Sequence, residues 1–381
     1  MYYFGFAPHP PFPPLQKLLE RGVRGVRSRY KQSISWYAPK DTRRSKLATY
    51  RVAFIGCGGI SRAHIGGYRP CKRTEVIAGS DVNPSQLEKW GAELGISALY
   101  TDCEEMLVKE KPDIVSICTY VNSHCELTTK CAQHGVKAIL CEKPMALNMD
   151  EANRMVEECN KHGVKLAIGH QRRHAAQHQF TKRLIERGEL GKLVALWGSS
   201  PGDLMDWGTH VVDMMIWYAG EVEWVMGQVD MTPIERNRRD YLNVTPVIGY
   251  LKFKNGAAGV IETDLQARGV FSNPRIQIRG DKGEVEVMMD GGLKYSSWDR
   301  LNWTTPNLVY QDAFHLEIED LCNCIEQNKE PLDSGREGAK ALEVLMAISE
   351  SARLRGKVSL PLDQKMAPLD LIAKEGNLEK K

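Results

Sequence analysis

The sequence lacks the features that mark membrane-spanning and nucleic-acid-binding proteins. Its 381 residues contain no long apolar run, since even a stretch such as 113–119 is far shorter than the roughly 20 residues that span a bilayer. The formal net charge of only +3 provides no strongly basic surface for the phosphates of nucleic acid or anionic lipid. We therefore expect neither a nucleic-acid partner nor a membrane partner.

Cysteine motifs and export signals are missing as well. The ten cysteines form no Cys-X-X-Cys motif, and the closest two, Cys322 and Cys324, have the wrong spacing for a zinc knuckle. Residues 1–14 lack the basic start, the sustained apolar stretch and the cleavage site of a secretory signal. These absences predict reduced thiols and a cytoplasmic location.

Charge is distributed unevenly along the chain. Residues 1–49 carry ten basic and two acidic residues, so a net +8 in this segment leaves −5 for the rest. Five prolines within residues 8–14 and the lack of a hydrophobic period argue against packed structure here. We predict a basic, Pro-rich, disordered extension over 1–49, with a transit peptide or a nucleic-acid arm as the alternatives.

From residue 50, short apolar strands alternate with helical segments. The strands are continuous apolar runs, as expected for a parallel sheet covered on both faces, and they read YRVAFIG, TEVIAGSD, ALYTD, DIVSICT, KAILCEKP and KLAIGH. Strand, turn and helix in repeated order indicate βαβ units. The pattern predicts an α/β Rossmann domain with a doubly wound parallel sheet over 50–171.

Beyond residue 171 the strands become longer and the helices less frequent. Asn255-Gly256 is a hairpin signal between two of these strands. Helices are indicated over 177–187, 314–327 and 336–354. This segment predicts an α+β domain with a large, mostly antiparallel sheet over 172–362, followed by a charged tail over 363–381.

A glycine-rich turn joins the first strand to the first helix. It reads GCGGIS and contains Gly56, Gly58, Gly59, Ile60 and Ser61. Such glycines let backbone N–H groups approach a pyrophosphate at the helix N-terminus. Asp81, at the end of the second strand, can bind both hydroxyls of an adenosine ribose and repels a 2′-phosphate. The pattern predicts NAD as cofactor, with NADP less favoured but left open by Arg62 and Arg73.

The fifth strand ends in the turn Cys141-Glu142-Lys143-Pro144. The carboxyl ends of strands in an open α/β sheet face the ligand crevice, so Lys143 is expected to point toward the nicotinamide site. There its ammonium group can hydrogen-bond a reacting hydroxyl and take part in proton transfer. An exposed Lys-Pro turn without function is the alternative.

Asp206 and His210 form the second candidate pair. If their stretch is helical, a spacing of four places both side chains on one face. A neutral His is a suitable general base for an alcohol proton near pH 7, and a nearby Asp can orient the ring or a substrate hydroxyl. A surface or core pair without catalytic function is the alternative.

Three further histidines, His170, His174 and His178, are also spaced by four. On one helical face they could bind a metal ion. Because Arg172 and Arg173 lie among them, and neighbouring cations oppose a divalent ion, we expect a solvated helix face and no metal site.

Together these motifs resemble the Gfo/Idh/MocA oxidoreductase family, which includes inositol dehydrogenases and glucose-fructose oxidoreductases. The resemblance covers about 50–362 and implies that Lys143, Asp206 and His210 form the catalytic set. It also implies that the cofactor runs along Thr119, Asn122, His124, Glu142 and Lys143. Arg172 would contact the substrate together with the three catalytic residues. The sequence departs from the family pattern at SSPGDLMD, before the catalytic Asp, and at His174, where an aromatic residue is common.

The resemblance implies hydride transfer between nicotinamide and a secondary ring alcohol of a sugar, glycoside or cyclitol. It also implies that the domain over 172–362 covers the nicotinamide, binds substrate and mediates oligomerisation into a homodimer or homotetramer. Two alternatives remain open: an enzyme that retains NAD and cleaves glycosides through a transient keto intermediate, and a non-catalytic NAD-binding regulator. The regulator predicts loss of the Lys or the His, and both are present here.

Overall fold

The structure is a computed structural model that describes residues 49–230, 235–236, 242–243, 245–265 and 274–375. Ala48–Lys381 form one compact unit. Apart from Thr49, the predicted extension over 1–49 lies outside the described residues. Within the described part of the chain, no helix combines the length and the apolar character that crossing a membrane requires.

The first sheet has six parallel strands in the order β3-β2-β1-β4-β5-β6. These are β1 (Tyr50–Ile55), β2 (Thr74–Ser80), β3 (Ala98–Tyr100), β4 (Ile114–Ile117), β5 (Ala138–Cys141) and β6 (Lys165–Ile168). The order reverses between β1 and β4, so a crevice opens beyond their carboxyl ends. The predicted doubly wound Rossmann sheet is confirmed.

Five helices connect these strands: α1 (Gly59–Tyr68), α2 (Pro84–Leu94), α3 (Cys103–Glu110), α4 (His124–Gln133) and α5 (Met149–His162). Helix α2 was not predicted from the sequence. Asn83 caps it by accepting a hydrogen bond from the Gln86 N–H, and Pro84 occupies its first turn. Its Leu87 and Trp90 are buried against the sheet.

The second sheet has nine strands in the order β16-β15-β14-β13-β7-β12-β11-β8-β17. Its pairs are antiparallel except β7 with β12, so the predicted mostly antiparallel sheet is confirmed. Its strands, with the separate two-stranded pair β9 and β10, are β7 (Leu193–Ser200), β8 (Val222–Val229), β9 (Glu235–Arg236), β10 (Leu242–Asn243), β11 (Val247–Phe253), β12 (Ala258–Thr263), β13 (Arg275–Gly280), β14 (Gly283–Met288), β15 (Leu293–Ser297), β16 (Arg300–Thr304) and β17 (Val358–Ser359).

Helices cover one face of this sheet. The remaining helices are α6 (Ala176–Glu186), α7 (Thr209–Ala219), α8 (Ala313–Gln327), α9 (Gly335–Leu354) and α10 (Pro368–Glu375). A side chain at Gly198 would collide with Val211 of α7, and one at Gly227 would collide with Ile348 of α9. Both glycines therefore permit close helix–sheet contact.

The C-terminal helices return to the Rossmann sheet. Gly67 of α1 lies directly against Phe314 and Ile318 of α8, and Ser334 forms a β-bridge with Ala167 of β6. The C-terminal helices therefore pack against the Rossmann domain.

The segment assigned to a charged tail, 363–381, contains α10. Leu369 and Ile372 of this helix are buried in the core, and Glu375 accepts a hydrogen bond from Arg353 of α9 at 2.8 Å. The high charge of the segment concealed these two apolar positions, which give the helix a surface to pack.

Candidate active site

The glycine turn between β1 and α1 forms one wall of the crevice. Gly56 has φ +91°, and a Cβ there would lie 2.7 Å from the carbonyl carbon and oxygen of Cys118. Side chains at Gly58 or Gly59 would meet no atom within 4 Å. Buried Ser61 donates a hydrogen bond to the Gly58 carbonyl at 2.6 Å. The turn is therefore tight on the protein side and open on the other, as close approach of a dinucleotide requires.

Asp81 lies at the end of β2 with both carboxylate oxygens engaged. Oδ2 accepts from the Cys57 N–H at 2.8 Å and Oδ1 accepts from the Asn83 N–H at 2.9 Å. These bonds fix a carboxylate beside the glycine turn. Arg62 pairs with Glu93 at 2.6 Å.

Ile60 was predicted to contact the cofactor, and Arg73, like Arg62, was an arginine that left NADP open as the cofactor. The Ile60 side chain, in the first turn of α1, is 39% exposed. Arg73 is buried and pairs with Glu326 at 2.8 Å and Glu319 at 3.2 Å. Both arginines that left NADP open thus carry carboxylate partners.

The turn after β4 carries three of the predicted cofactor residues. Thr119 is half-buried and accepts a hydrogen bond from Ser123 Oγ at 2.7 Å, whereas Asn122 is exposed. His124 is buried, with Nε2 3.2 Å from the Thr119 carbonyl and Nδ1 3.0 Å from the Pro144 carbonyl. Burial lowers the pKa of His124, which favours a neutral ring that donates to one of these carbonyls. His124 thereby joins this turn to the Lys143 turn.

Lys143 points out of the Rossmann sheet toward the second one. Its Nζ donates to Asp206 Oδ1 at 2.6 Å and to the Asp206 carbonyl at 3.2 Å. Both side chains are partly buried, with 17% and 23% of their surfaces exposed. The structure therefore brings together two of the three predicted catalytic residues, which are 63 positions apart in sequence.

Glu142 points inward, beneath the turn. Its Oε1 lies 2.7 Å from Nε2 of buried His64, and its Oε2 accepts from the Lys143 N–H at 3.2 Å. Burial opposes ionisation of this carboxyl, but the hydrogen bond from His64 and the neighbouring positive charges, including Lys143, together outweigh it, so the pKa of Glu142 is lowered. An ionised Glu142 anchors the backbone of Lys143 from below.

Asp206 and His210 lie on a helix that is not regular. Asp206 belongs to a π-helical turn, Leu204–Gly208, and His210 follows in α7. Asp203 caps the turn, since its Oδ1 accepts from the Asp206 N–H at 2.7 Å. The expected α-helical register between Asp206 and His210 is therefore wrong, because the wider turn shifts their relative direction.

His210 is buried at the N-terminal end of α7. Its ring packs edge-on against His170 at 5.6 Å and Trp207 at 6.1 Å between centroids. Burial lowers the pKa of His210 well below its ordinary value, and the positive charges of Arg172 and Lys143 lower it further. His210 is therefore neutral near pH 7 and able to accept a proton.

Arg172, the predicted substrate ligand, lies close enough to His210 for its charge to lower the pKa of that ring. Its guanidinium stacks over the Trp207 ring at 4.8 Å and donates to Asp290 Oδ2 at 2.9 Å. Trp207 and Asp290 were not identified from the sequence. Trp207 adjoins a predicted site residue and could have been found from that, whereas Asp290 lies 118 residues away and no local signal marks it.

The three histidines spaced by four are buried, so the predicted solvated helix face is wrong. A 3₁₀ turn, Gln171–His174, separates them, and α6 begins only at Ala176. Their rings face different partners: Thr209 Oγ1 at 3.1 Å for His170, Asp333 Oδ2 at 3.6 Å for His174, and Tyr218 Oη at 2.7 Å for His178.

Arg173 explains why this turn points inward. It is buried and bonds Asp213 through both Nε and Nη2, the shortest contact being 2.7 Å. It also donates to the Leu332 carbonyl at 2.8 Å. A bidentate buried pair of this kind fixes the turn against α7.

Two family models match the chain. Residues 50–170 match "Oxidoreductase family, NAD-binding Rossmann fold" of the Gfo/Idh/MocA family, and residues 195–360 match the "C-terminal alpha/beta domain" of the same family.

Individual relatives match over most of their length. Myo-inositol 2-dehydrogenase of Thermotoga maritima is 27% identical over 343 residues, 82% of this chain and 99% of that enzyme. D-apiose dehydrogenase of Paraburkholderia graminis is 27% identical over 352 residues, 84% of this chain and 92% of that enzyme. Among solved structures, the WlbA dehydrogenase of Bordetella pertussis in complex with NADH and UDP-GlcNAcA is 26% identical with a TM-score of 0.70, covering 83% of this chain and 100% of that one.

Proposed function

The chain belongs to the Gfo/Idh/MocA oxidoreductase family, and from this premise we propose that it is an NAD-dependent dehydrogenase of a sugar, glycoside or cyclitol. The reaction is reversible oxidation of a secondary ring alcohol. The observation that carries this proposal is the Lys143–Asp206 contact at 2.6 Å, together with a buried His210 whose pKa the charge of Lys143 helps to lower. The relatives named above are dehydrogenases of an inositol and of a sugar, which supports the same substrate class.

The residues around the crevice fit NAD. Backbone N–H groups at Gly58 and Gly59 hold the pyrophosphate at the start of α1, in the open space beside these glycines. Asp81 holds the ribose hydroxyls. Side chains flanking the crevice, Ile60, Thr119, Asn122, His124 and Glu142, line or support the rest of the cofactor. Bound NAD supplies the hydride acceptor.

Three side chains handle the substrate hydroxyl. His210, kept neutral by burial, accepts the hydroxyl proton as the alcohol is oxidised. Lys143 donates a hydrogen bond to the same oxygen and polarises it. Asp206 holds the Lys143 ammonium and orients neighbouring ring hydroxyls. Arg172, fixed between Trp207 and Asp290, contacts the substrate from the side.

The substrate class is tested by following NADH absorbance with the full chain and a panel of cyclitols, aldoses and glycosides. We expect turnover with one of these classes and faster turnover with NAD⁺ than with NADP⁺, since Asp81 repels a 2′-phosphate. Mass measurement on the protein as purified shows whether NAD stays bound. Cleaved glycoside without NADH accumulation would instead favour the retained-cofactor reaction. Absence of turnover and of NAD binding would contradict both.

We also propose a homodimer or homotetramer that forms through the uncovered face of the nine-stranded sheet. Cross-strand pairing places Trp197, Val260, Tyr250 and Met226 in one row across β7, β12, β11 and β8. Three of these side chains are large, apolar and 37–49% exposed. A continuous exposed apolar row of this kind is typical of protein–protein contact surfaces.

Light scattering on the full chain tests this surface. We expect a dimer or tetramer for the wild type and mostly monomer for Trp197→Glu, because the charge would be buried without a partner. Val108→Glu is the matched control, since Val108 is 56% exposed on α3, outside this sheet. A monomeric wild type, or equal dissociation of both variants, would overturn the assignment.

The cysteines support a cytoplasmic location, which we also propose. All ten are free in the structure and nine of them are buried. Burial raises the pKa of Cys57, Cys141 and Cys159, so these thiols stay protonated. Unpaired thiols in this number are typical of proteins from reducing compartments.

A further inference from the structure

A second group of charged side chains lies away from the Lys143–Asp206 pair. His174, Asp320 and Asp333 offer ligand atoms that all lie within 4.8 Å of one another. They come from three separate segments: the turn Gln171–His174, helix α8 and the loop before α9. Glu317, one helical turn before Asp320, is also buried. We refer to these four residues as the carboxylate–histidine cluster.

Several polar atoms of the cluster lack hydrogen bonds although they are buried. His174 is 8% exposed, and Glu317 and Asp333 are each 1% exposed. Among the described residues, His174 Nε2, Asp333 Oδ2 and both carboxylate oxygens of Glu317 have no hydrogen-bond partner within 3.5 Å. They face one another instead, with His174 Nε2 3.6 Å from Asp333 Oδ2 and Glu317 interacting with Asp333. Buried polar atoms are nearly always satisfied in folded proteins, so side chains that face one another without a hydrogen bond within 3.5 Å have the geometry of a site for a shared ligand.

The charge of the cluster has the same implication. Three carboxyl groups and one imidazole are gathered in a largely buried space, where burial and the nearby Asp333 raise the pKa of Glu317 well above its usual range and favour its neutral form. Arg173 is a nearby cation, but its guanidinium already bonds Asp213, Glu337 and the Leu332 carbonyl. A further positive charge within the cluster would offset the excess of acidic groups.

We propose that the carboxylate–histidine cluster binds one divalent cation of the Mn²⁺ type. Carboxylate oxygens suit Mg²⁺, Ca²⁺ and Mn²⁺, and an added imidazole nitrogen shifts the preference toward a transition metal. Neighbouring ligand atoms around an ion at roughly 2.0–2.2 Å lie about 3–3.6 Å apart. His174 Nε2 and Asp333 Oδ2 are 3.6 Å apart, so small movements complete the site. Asp320 is the half-buried member, through which an ion enters.

The backbone around the cluster indicates a structural role for the proposed ion. The Ile168 N–H, at the end of β6, donates to the Asp333 carbonyl at 2.9 Å. His174 ends the same turn that carries Arg172, the proposed substrate ligand. An ion held by His174, Asp333 and α8 therefore fixes this turn to the Rossmann sheet. It is a structural site beneath the substrate wall, separate from hydride transfer.

This assignment also accounts for His174 itself, which stands where the resembling family commonly has an aromatic residue. The i, i+4 spacing with His170 and His178 pointed to the wrong partners, since those rings bond Thr209 and Tyr218. The ligands that His174 does face are carboxylates, and Asp333 lies 159 residues further along the chain.

Electron paramagnetic resonance of Mn²⁺ tests the proposal independently of enzyme activity. The full chain is stripped with a chelator and titrated with Mn²⁺. Zn²⁺ is avoided because it would also bind to the ten thiols, whereas Mn²⁺ prefers carboxylate oxygens. We expect one Mn²⁺ bound per chain and at least tenfold weaker binding to Asp320→Asn, whose amide oxygen can still accept from the Leu332 N–H. Glu319→Gln, next to Asp320 but paired with Arg73, is expected to bind as the wild type does.

Nitrogen coupling in the spin-echo spectrum gives a second readout. We expect a ¹⁴N modulation from the His174 imidazole in wild type, lost in His174→Phe, with circular dichroism checking that each variant is folded. The proposal is overturned if stripped wild type binds no stoichiometric Mn²⁺. It is equally overturned if Asp320→Asn binds as tightly as Glu319→Gln, or if the modulation survives in His174→Phe. If the cluster is a network of hydrogen bonds between protonated side chains, stripped wild type will bind no stoichiometric Mn²⁺.

Discussion

Replacing His210 with Asn is expected to lower kcat for alcohol oxidation by about 10²–10⁴-fold, the range that general base catalysis contributes. Asn fills a similar volume but cannot accept a proton. The ring of His210 is buried and lies beside His170 and Trp207, so the variant should fold and still bind NAD. Single-turnover measurement of NADH formation separates this loss from slower product release. Wild-type rates in the variant would show that another group takes the proton.

The pH profile provides a sharper test of the same role. Because burial and the charges of Arg172 and Lys143 lower the pKa of His210, the ring stays neutral to a lower pH than an ordinary histidine. The value of kcat/KM for the wild type should therefore hold through pH 6.5 and fall only as pH decreases through the lowered pKa. Arg172→Met removes one of the cationic neighbours, so its acid limb should move to higher pH. An acid limb that is identical in the two proteins would contradict the assignment of His210 as the base.

The Rossmann half could be predicted from sequence because its signals are local. Each buried parallel strand is a continuous apolar run, and the glycine turn follows the first one directly. Even α2, which was missed, carries a readable signal: Leu87, Trp90 and Leu94 recur with helical spacing after an Asn-Pro start. The second sheet was predicted in class but not in strand order, because pairing between distant strands leaves little trace in local pattern.

The candidate site also contains some residues that local sequence signals mark and others that only long-range contacts bring in. The turns that carry Lys143 and Asp81 could be placed because strand ends of a doubly wound sheet meet at one crevice. The contact of Lys143 with Asp206 rested on resemblance, since nothing local joins positions 63 residues apart. The π-helical turn at Asp206 depends on the cap from Asp203 and cannot be read from an i, i+4 spacing. Asp290, which holds Arg172, was missed for the same reason of distance.

Lys143 is expected to show the other large effect. Lys143→Met keeps much of the side-chain length but removes the ammonium, so the reacting oxygen loses its hydrogen bond and Asp206 loses its partner at 2.6 Å. We expect kcat to fall by about 10²–10⁴-fold, the scale of a lost proton-transfer or polarising group. Binding of NAD, measured by quenching of tryptophan fluorescence, should change little, because the glycine turn and Asp81 remain.

A matched control separates this chemistry from the loss of a partly buried ion pair. Lys165 in β6 has a side chain 13% exposed, close to the 17% of Lys143, and pairs with Glu330 at 3.2 Å. Lys165→Met therefore removes a comparable charge from the same sheet but away from the crevice. We expect a similar small change in thermal stability for both variants, with kcat reduced only in Lys143→Met. If both variants lose activity in proportion to stability, Lys143 has a structural role, and the proton-transfer assignment is wrong.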